Sequence, residues 1–289
     1  MNSKIESLGI GTGKTVYSNN DCEDILCLSE AETLDLFKSS GVVLFRDFRV
    51  TVTQMKAFSE KFSCSYLKDP TKKSVDSVDF VTSVDNGMYA LPPHAEHSCV
   101  PIRPDVVWFC CKTPVEGGET LFWDGIQIWK EMSKQTKQLF DEKKLKFVFE
   151  NVPLEELNKW FLCGETIDEC KQVLNKFEGL NYQINEDSTI SLKYICSAVV
   201  KTKYGNQDAF ANYLWVNHTR GEEIFEDGSK LPDEVADEIQ KLYDKYTEEI
   251  SWQAGDLVMI DNSRVMHGRR EFKDNQRQIF VTISNLNLE

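Results

Sequence analysis

The sequence lacks several features that would each assign it to a large class of proteins. It has no apolar run approaching the roughly 20 residues of a membrane-spanning helix, and its start, MNSKIES, lacks the basic end and apolar centre of a secretory signal. Its nine cysteines include no Cys-x-x-Cys pair. An odd, unpatterned set of cysteines argues against a disulfide framework, so we expect a cytoplasmic protein with reduced thiols.

Positive charge is also scarce. Lys and Arg total 33 against 47 Asp and Glu, which gives a formal net charge of -14. Nucleic-acid backbones are bound by clustered Lys and Arg, so we expect no nucleic-acid partner. The chain of 289 residues, 41% of them hydrophobic, can bury one large core, and we expect a single domain, residues 1–289. Its oligomeric state is left open.

Histidine is scarce as well, and its placement is the most informative feature of the chain. Three of the four histidines fall in the segments 93–97 (PHAEH) and 261–269 (DNSRVMHGR). Together these segments offer two imidazoles and a carboxylate, the ligand set of a mononuclear non-haem iron site with open coordination positions. We therefore predict that His94, Glu96 and His267 are the metal ligands and the catalytic centre.

The spacing of these residues predicts how they meet. Positions i and i+2 of an extended strand point to one side, so His94 and Glu96 should share a face while His97 points away from it. His267 follows the strand-like run 256–260, which can deliver it to the same place. The open positions on Fe(II) would admit a bidentate co-substrate and dioxygen.

The region before the first ligand segment reads as helix, strand and helix. Ser29 and Glu32 have the spacing of a capping box, and Gly41 is placed to end the helix they begin. A strand-like run follows at 42–45, and residues 53–62 have the apolar spacing of a second amphipathic helix.

The rest of the chain is richer in strand signals. The polar segment 68–77 is predicted to be a loop, either an ordinary surface connection or a cover for the site. A long acidic helix is predicted to begin with Pro232 in its first turn and to bury Val235, Ile239, Leu242 and Tyr246. Further strand-like runs lie at 106–110, 145–150, 189–200, 249–253 and 277–284.

Longer segments around the ligands carry a resemblance to a known family. Residues 92–124, which contain His94-Ala95-Glu96 and then the run EGGET at 116–120, resemble the iron- and 2-oxoglutarate-dependent taurine dioxygenase superfamily. The closing segment 255–277 is similar to the same superfamily, including the gamma-butyrobetaine and trimethyllysine hydroxylases. The similarity extends to residues 41–48 (GVVLFRDF), so it covers most of the chain.

This resemblance implies an α+β fold, a double-stranded β-helix (jelly-roll) core with flanking helices. The single domain would consist of an N-terminal helix and strand region 1–90 and a core 91–289 with a variable insertion at about 150–250. Thr120 would hydrogen-bond 2-oxoglutarate, and Arg277 would pair with its distal carboxylate. A guanidinium suits that task because it can hold a carboxylate through two parallel hydrogen bonds.

The enzyme implied by the resemblance uses Fe(II), 2-oxoglutarate and dioxygen to hydroxylate, desaturate or cyclise an unactivated carbon. Its substrate would be a small amine or amino-acid-like molecule, and it would release succinate and carbon dioxide.

The chain departs from the family pattern at two positions. Glu96 stands where many relatives have Asp, although clavaminate synthase, which it resembles, carries Glu. Val281 stands where taurine dioxygenase has a second arginine.

Three alternative functions can be compared with the same residues. A zinc-dependent hydrolase can be built on His94, Glu96 and His267, but it would not need Thr120 or Arg277. A radical halogenase of the same fold requires a small residue in place of the ligand carboxylate, and Glu96 is present. A catalytically silent binding protein is disfavoured because the full triad is retained.

Several polar residues near these motifs have less defined roles. Arg269 and Arg270 can hold a substrate carboxylate or pair with nearby acids. Asp261 and Asn262 are predicted to orient the turn before the second ligand histidine, because Asx side chains bond to local backbone groups. His218 is predicted to be a surface residue rather than a fourth ligand.

The substrate pocket is expected to form from three parts of the chain. These are the loop before His94, the region near Phe122 and Trp123, and the region 204–217. His97 is expected either to contact one of the metal-ligand side chains or to line this pocket. The substrate itself is not defined by these residues, because the directions of side chains on loops do not follow from sequence.

Overall fold

A computed structural model of the protein describes residues 3–19, 23–68, 72, 74–75, 78–84 and 87–287. Within these residues the chain has a mixed α+β content of seventeen strands and eight α-helices. The strands are β1 (Ile5–Ser7), β2 (Lys14–Tyr17), β3 (Val42–Arg46), β4 (Ser63–Leu67), β5 (Thr82–Ser83), β6 (Leu91–His94), β7 (Val106–Thr113), β8 (Thr120–Asp124), β9 (Leu145–Val152), β10 (Leu180–Ile184), β11 (Ile190–Cys196), β12 (Val200–Lys201), β13 (Asp208–Ala209), β14 (Glu248–Ile250), β15 (Leu257–Asp261), β16 (Val265–Arg269) and β17 (Gln278–Leu286). The helices are α1 (Glu30–Ser40), α2 (Val52–Glu60), α3 (Gly125–Glu131), α4 (Lys134–Glu142), α5 (Leu154–Phe161), α6 (Ile167–Leu174), α7 (Leu214–Thr219) and α8 (Asp233–Tyr246).

The larger sheet has eight strands in the order β1-β2-β3-β15-β7-β17-β4, with β5 also paired to β17. Its pairs are antiparallel except for β2 and β3, which run parallel. The central strands β3, β15 and β7 are buried on both faces. That burial explains why their sequences are continuous apolar runs rather than alternating ones.

The smaller sheet has four strands in the order β14-β8-β16-β6, all antiparallel. Phe122 of β8 and Val265 of β16 share one apolar cluster with Leu44, Phe109 and Val258 of the larger sheet. The two sheets therefore pack face to face around a common core. Strands β6, β8 and β16 of the smaller sheet carry residues of the predicted site.

Helices α1 and α2 cover the outer face of the larger sheet, where they contribute to a second apolar cluster. Ser29 Oγ accepts a hydrogen bond from the Glu32 backbone N–H at 3.4 Å, and Gly41 ends α1 with φ of 75°, a left-handed conformation that favours glycine. A reciprocal capping box between Thr51 and Gln54 begins α2. Both predicted helices are confirmed.

The start of the chain adds two strands that were not predicted. β1 is exposed along its length and β2 has only four residues, so neither shows a clear alternation. β2 nevertheless pairs with β3, and it joins the first residues of the chain to the sheet that also contains β7, β15 and β17.

The acidic helix α8 is shifted by one position from its prediction. Pro232 is the residue before the helix rather than a residue of its first turn. Val235, Ile239 and Leu242 are buried as expected, but Tyr243 is fully buried where Tyr246 was predicted. None of the helices in the described residues is long and apolar enough to cross a membrane.

Part of the chain between the two ligand segments forms a separate layer. Strands β9, β10 and β11 form a three-stranded antiparallel sheet in the order β10-β11-β9. Helices α5 and α6 share a small apolar cluster with this sheet, which includes Leu157, Phe161, Cys170, Leu174 and Leu192. From here on, the insertion denotes residues 145–196, from β9 to β11, rather than the predicted range of about 150–250.

Candidate metal centre

Strand pairing in the smaller sheet brings His94 and His267 together. His267 is the third residue of β16, where it pairs with His94 at the end of β6 on one side and with Phe122 of β8 on the other. The two imidazole ring centroids lie 4.4 Å apart. The run 256–260 does not itself place His267 there, because the chain crosses to the other sheet between β15 and β16.

Glu96 does not lie on a strand, contrary to the prediction. β6 ends at His94, and the chain then turns, with the Ser98 N–H donating to the Ala95 carbonyl at 3.2 Å and His97 at a positive φ of 55°. The alternation of strand side chains therefore explains neither the position of Glu96 nor that of His97. Local turn geometry and a distant hydrogen-bond partner position the carboxylate instead.

That distant partner is Asn262, which is fully buried. Its Oδ1 accepts the Glu96 backbone N–H at 2.7 Å, and its Nδ2 donates to the Glu96 carbonyl at 2.9 Å and to the Pro104 carbonyl at 2.9 Å. Asp261, as predicted, makes a local turn, since its Oδ1 accepts the Ser263 N–H at 2.8 Å. Asn262 instead joins the turn before β16 to the turn that carries Glu96, a role that the sequence did not indicate.

The hydrogen bond of His94 leaves its other nitrogen available as a ligand. Nδ1 donates to the Pro92 carbonyl at 2.9 Å, which assigns the unprotonated lone pair to Nε2. Burial, together with the neighbouring His267, lowers the pKa of His94 to about 4. The ring is thus neutral near pH 7, which is the form that binds a metal ion.

The Glu96 carboxylate faces both imidazoles. Its Oε2 lies 3.3 Å from His267 Nε2 and 3.8 Å from His94 Nε2. Burial opposes ionisation of Glu96, but the charge of Lys72 and the hydrogen bond from His267 outweigh it and hold the pKa of that carboxyl well below its usual range. One donor atom from each of the three residues lies within 4.8 Å of the others, as one metal ion requires.

A cavity of about 850 Å³ opens onto these three residues. Thr120 lines it from the first position of β8, and its Oγ1 accepts a hydrogen bond from Trp252 Nε1 at 3.1 Å. The cavity is also lined by Lys72, Ser83, Val84, Tyr89, Ala90, Leu91, Pro92, His97, Cys99, Phe109, Phe149, Trp160, Tyr213, Val216, Thr219, Arg220, Gly268, Arg269, Arg277 and Ile279.

Arg277 enters the same cavity from the residue before β17. Its Nη2 donates to the Gly118 carbonyl at 2.7 Å, and its guanidinium lies over the Phe272 ring at 5.2 Å. Burial, reinforced by the neighbouring charge of Arg269, lowers the pKa of Arg277 to about 10. Across the described ranges Arg277 has no ion pair, so it is not part of a surface salt bridge.

The neighbouring arginines differ from each other. Arg270 is exposed and pairs with Glu249 at 3.0 Å, the structural pairing that was one of its two predicted roles. Arg269 is buried and lines the cavity, where its Nη2 donates to the carbonyls of Gly87 at 2.5 Å and Tyr89 at 2.9 Å. Arg269 thus fastens the segment that precedes β6.

Neither of the two remaining histidines belongs to the group of three donors. His97 lines the cavity, as one of its predicted roles required, and its ring centroid is 4.7 Å from that of Trp160. His218 is half-buried on α7, with its ring centroid 4.7 Å from that of Trp215, and it is not part of the group of three donors.

The pocket predictions are partly wrong. The loop before His94 lines the cavity as expected, but Phe122 and Trp123 do not. They are buried between layers, and Trp123 Nε1 donates to the Tyr243 carbonyl of α8 at 3.1 Å. Of the predicted region 204–217, Tyr213 and Val216 line the cavity, whereas Tyr204 lies elsewhere, with its ring centroid 6.3 Å from that of Phe37.

The cavity also contains residues that were not anticipated. Phe149 and Trp160 line it from the insertion, and nothing in their local sequence indicates this because they are typical core residues of a small sheet and helix. Lys72 lines it from the predicted loop 68–77. In that loop, residues 69–71, 73, 76 and 77 lie outside the described residues, so its role as a cover stays a prediction.

Comparisons with known proteins agree with the resemblance seen in the sequence. Residues 5–283 match the model of the family described as taurine catabolism dioxygenase TauD, TfdA family. The chain belongs to this family. It is therefore a non-haem enzyme of the iron(II)- and 2-oxoglutarate-dependent dioxygenase class, with Fe(II), 2-oxoglutarate and dioxygen as its cofactor set.

The relatives are distant. The chain is 20% identical over 278 residues to the dapdiamide synthesis protein DdaC of Enterobacter agglomerans, a match that covers 86% of this chain and 83% of that one. It is 24% identical over 275 residues to the clavaminate synthase-like protein At3g21360 of Arabidopsis thaliana, covering 86% and 82%. Among solved structures it is similar to PvcB, an Fe, alpha-ketoglutarate dependent oxygenase from an isonitrile synthetic pathway, with a TM-score of 0.65 at 13% identity over 98% of this chain and 91% of that one.

Proposed function

We propose that His94, Glu96 and His267 hold Fe(II), and that the enzyme oxidises an unactivated carbon of a small molecule. The observation that carries this proposal is the group of three donors at the wall of a cavity that also receives Arg277 and Thr120. The donor set fits the metal, because two imidazoles and one carboxylate suit Fe(II) and leave positions open.

The same cavity fits a dicarboxylic co-substrate. Arg277 offers a partly buried guanidinium whose only described hydrogen bond is to a backbone carbonyl, so donors remain for a carboxylate. Thr120, which also lines the cavity, offers a hydroxyl whose oxygen already accepts from Trp252, so its own proton is free to be donated. These two residues would hold the distal carboxylate of 2-oxoglutarate.

The chain's own residues would orient the reactants and exclude water. When bound, the iron supplies activation of dioxygen, which the protein side chains cannot provide. Arg277 would anchor the distal carboxylate of the co-substrate, and Phe109, whose ring centroid is 5.3 Å from that of His267, would keep that side of the metal ligands apolar. Overall, substrate C–H, 2-oxoglutarate and dioxygen would become C–OH, succinate and carbon dioxide.

For the substrate we propose a small amine or amino-acid-like molecule bound between the metal ligands and the aromatic residues of the insertion side. Trp160, Phe149 and Tyr213 supply apolar faces there, which suit a compact organic molecule. Hydroxylation is the proposed outcome, with desaturation and ring closure as the related oxidations that product mass spectrometry would distinguish.

We further propose that the chain is one domain with a double-stranded β-helix core. The support is that β1, β2 and β3 of the N-terminal region belong to the same sheet as β7, β15 and β17, so the two regions have no separate sheets. A cytoplasmic location is proposed because the eight cysteines in the described residues are all free thiols.

An anaerobic titration tests the function. Metal-free protein is titrated with Fe(II) and then with 2-oxoglutarate, and the weak visible charge-transfer band of the chelate is followed. We expect the band in the wild-type protein and its loss in His267→Ala. Tight metal binding without a band in the wild-type protein would contradict the proposal, and zinc content and hydrolase assays would then be the next measurements.

A further inference from the structure

The two oxygens of the Glu96 carboxylate have different surroundings. Oε2 faces the two ligand imidazoles, at 3.3 Å from His267 Nε2 and 3.8 Å from His94 Nε2. Oε1 faces the other way, where it accepts a hydrogen bond from Lys72 Nζ at 2.8 Å and lies 4.0 Å from His97 Nε2. The carboxylate is thus divided between a metal side and a lysine side.

The ion pair between Lys72 and Glu96 has little contact with solvent. The side chains are 17% and 8% exposed. A buried charge without a partner raises the free energy of the folded protein, so each of these two charges stabilises the other. Lys72 lies 24 residues before Glu96 in the chain, so the contact is not a by-product of local turn geometry.

The distinction between the oxygens matters for coordination. A carboxylate can bind a divalent cation through one oxygen or through both. With two imidazoles and one carboxylate oxygen, three of six positions remain open, but a second carboxylate oxygen would occupy one of them. A lysine ammonium has three donors and no acceptor, so it can hold an oxygen without binding the metal itself.

We propose that Lys72 is a positioning residue that keeps Oε1 of Glu96 away from the metal, so that Glu96 supplies a single oxygen and a bidentate co-substrate finds its positions open. This rests on the proposed function. The arrangement lowers metal affinity, because it places a positive charge beside the ion and withholds a donor, and it favours 2-oxoglutarate.

The test compares metal and co-substrate binding in variants at this position. Co(II) is titrated anaerobically into metal-free wild-type protein, Lys72→Met and Lys72→Arg, followed by 2-oxoglutarate, with calorimetry and the visible absorption of the bound cobalt as readouts. Lys72→Met is expected to bind Co(II) at least tenfold more tightly and 2-oxoglutarate at least tenfold more weakly. Its visible absorption should also differ from that of the wild type, because the freed oxygen would occupy one of the cobalt coordination positions. Lys72→Arg should stay close to the wild type.

The matched control is Lys68→Met. Lys68 is an exposed lysine at the start of the same loop, and it lies over the Phe80 ring at 5.3 Å rather than at Glu96. Its replacement removes the same charge four residues away and should leave cobalt and 2-oxoglutarate binding within twofold of the wild type. If Lys72→Met does not fold, Lys72→Gln takes its place, with tighter Co(II) and weaker 2-oxoglutarate binding still expected.

Two results would overturn the inference about Lys72. Equal or weaker Co(II) binding by the neutral variant would show that Lys72 withholds nothing from the metal. Tighter Co(II) binding with unchanged 2-oxoglutarate affinity would show that Glu96 uses one oxygen with or without Lys72. Failure of the wild-type protein to bind 2-oxoglutarate after metal loading is a different result, since it would reject the proposed function itself.

Discussion

The two walls of the cavity are built in different ways. The wall that carries the three donor residues belongs to the smaller sheet, where His94 and His267 are in backbone register and Asn262 ties down the turn of Glu96. The facing wall includes Phe149 and Trp160 of the insertion, which has its own small apolar cluster.

This difference in construction assigns cofactor binding to one wall and substrate selectivity to the other. A strand register cannot shift by one residue without turning every side chain to the opposite face, so the donor wall can change little without loss of the core. The insertion packs around its own cluster, so its cavity-facing side chains can change with smaller consequences for the sheets. We expect cofactor binding to depend on the first wall and substrate choice on the second.

Arg277→Met should give the largest effect and would test the cofactor side of this comparison. Loss of a charge-assisted pair of hydrogen bonds, roughly 3 kcal/mol, should weaken 2-oxoglutarate binding about a hundredfold. Metal affinity should be unchanged. Anaerobic calorimetric titration of the metal-free protein with Fe(II), and then with 2-oxoglutarate, measures both. Arg270→Met, at an exposed arginine that pairs with Glu249, is the control, and equal affinities in the two variants would argue against the role of Arg277.

Asn262→Leu should give the next largest effect, on the structure of the donor wall. Leucine has a shape similar to that of asparagine but cannot make the three buried hydrogen bonds of Asn262. The substitution should lower the free energy of unfolding by about 2 kcal/mol. It should also weaken Co(II) binding, because the turn of Glu96 loses its partner. Urea unfolding and Co(II) titration are the measurements. Asn181→Leu, at an exposed position of β10, should change neither, and normal Co(II) affinity in Asn262→Leu would show that the turn holds Glu96 unaided.

Trp160→Ala tests the facing wall. With a substrate in hand, we expect kcat/KM to fall about tenfold, the size of one lost aromatic contact, while Fe(II) and 2-oxoglutarate affinities remain within twofold. Trp129→Ala, which removes a half-buried tryptophan that does not line the cavity, should leave kcat/KM close to the wild type. A change in metal affinity in Trp160→Ala would break the separation between the two walls.

The smallest expected effect is on the pH dependence of the stability of the metal-free protein. The pKa of His94 is lowered from 6.5 to about 4 in the folded protein, so between these values the unfolded chain binds more protons at this residue. The stability that His94 contributes to the metal-free protein is therefore complete above pH 6.5 and is lost as the pH falls toward 4. Urea unfolding at several pH values should show a shallower decline in His94→Gln than in the wild type. Equal declines would mean that His94 does not contribute.

The three donors could be found from sequence because few residue types can hold such a metal and the chain has only four histidines. The helices α1 and α2 could also be found, because their caps are local. The position of Glu96 in a turn could not, since its hydrogen bonds reach Asn262, 166 residues away. Lys72 and Trp160 were missed for the same reason, because no local pattern relates a loop lysine or a helix tryptophan to a strand far along the chain.

The link between Asn262 and Glu96 also bears on how the site forms as the protein folds. Contacts between distant parts of a chain are made slowly, because a long loop must close before they give any stabilisation. The turn of Glu96 lacks its partner until residue 262 has been synthesised, and His267 follows still later. A ribosome-bound chain that ends before β16 should therefore bind no metal, and loading with iron would follow completion of the two sheets rather than guide their formation.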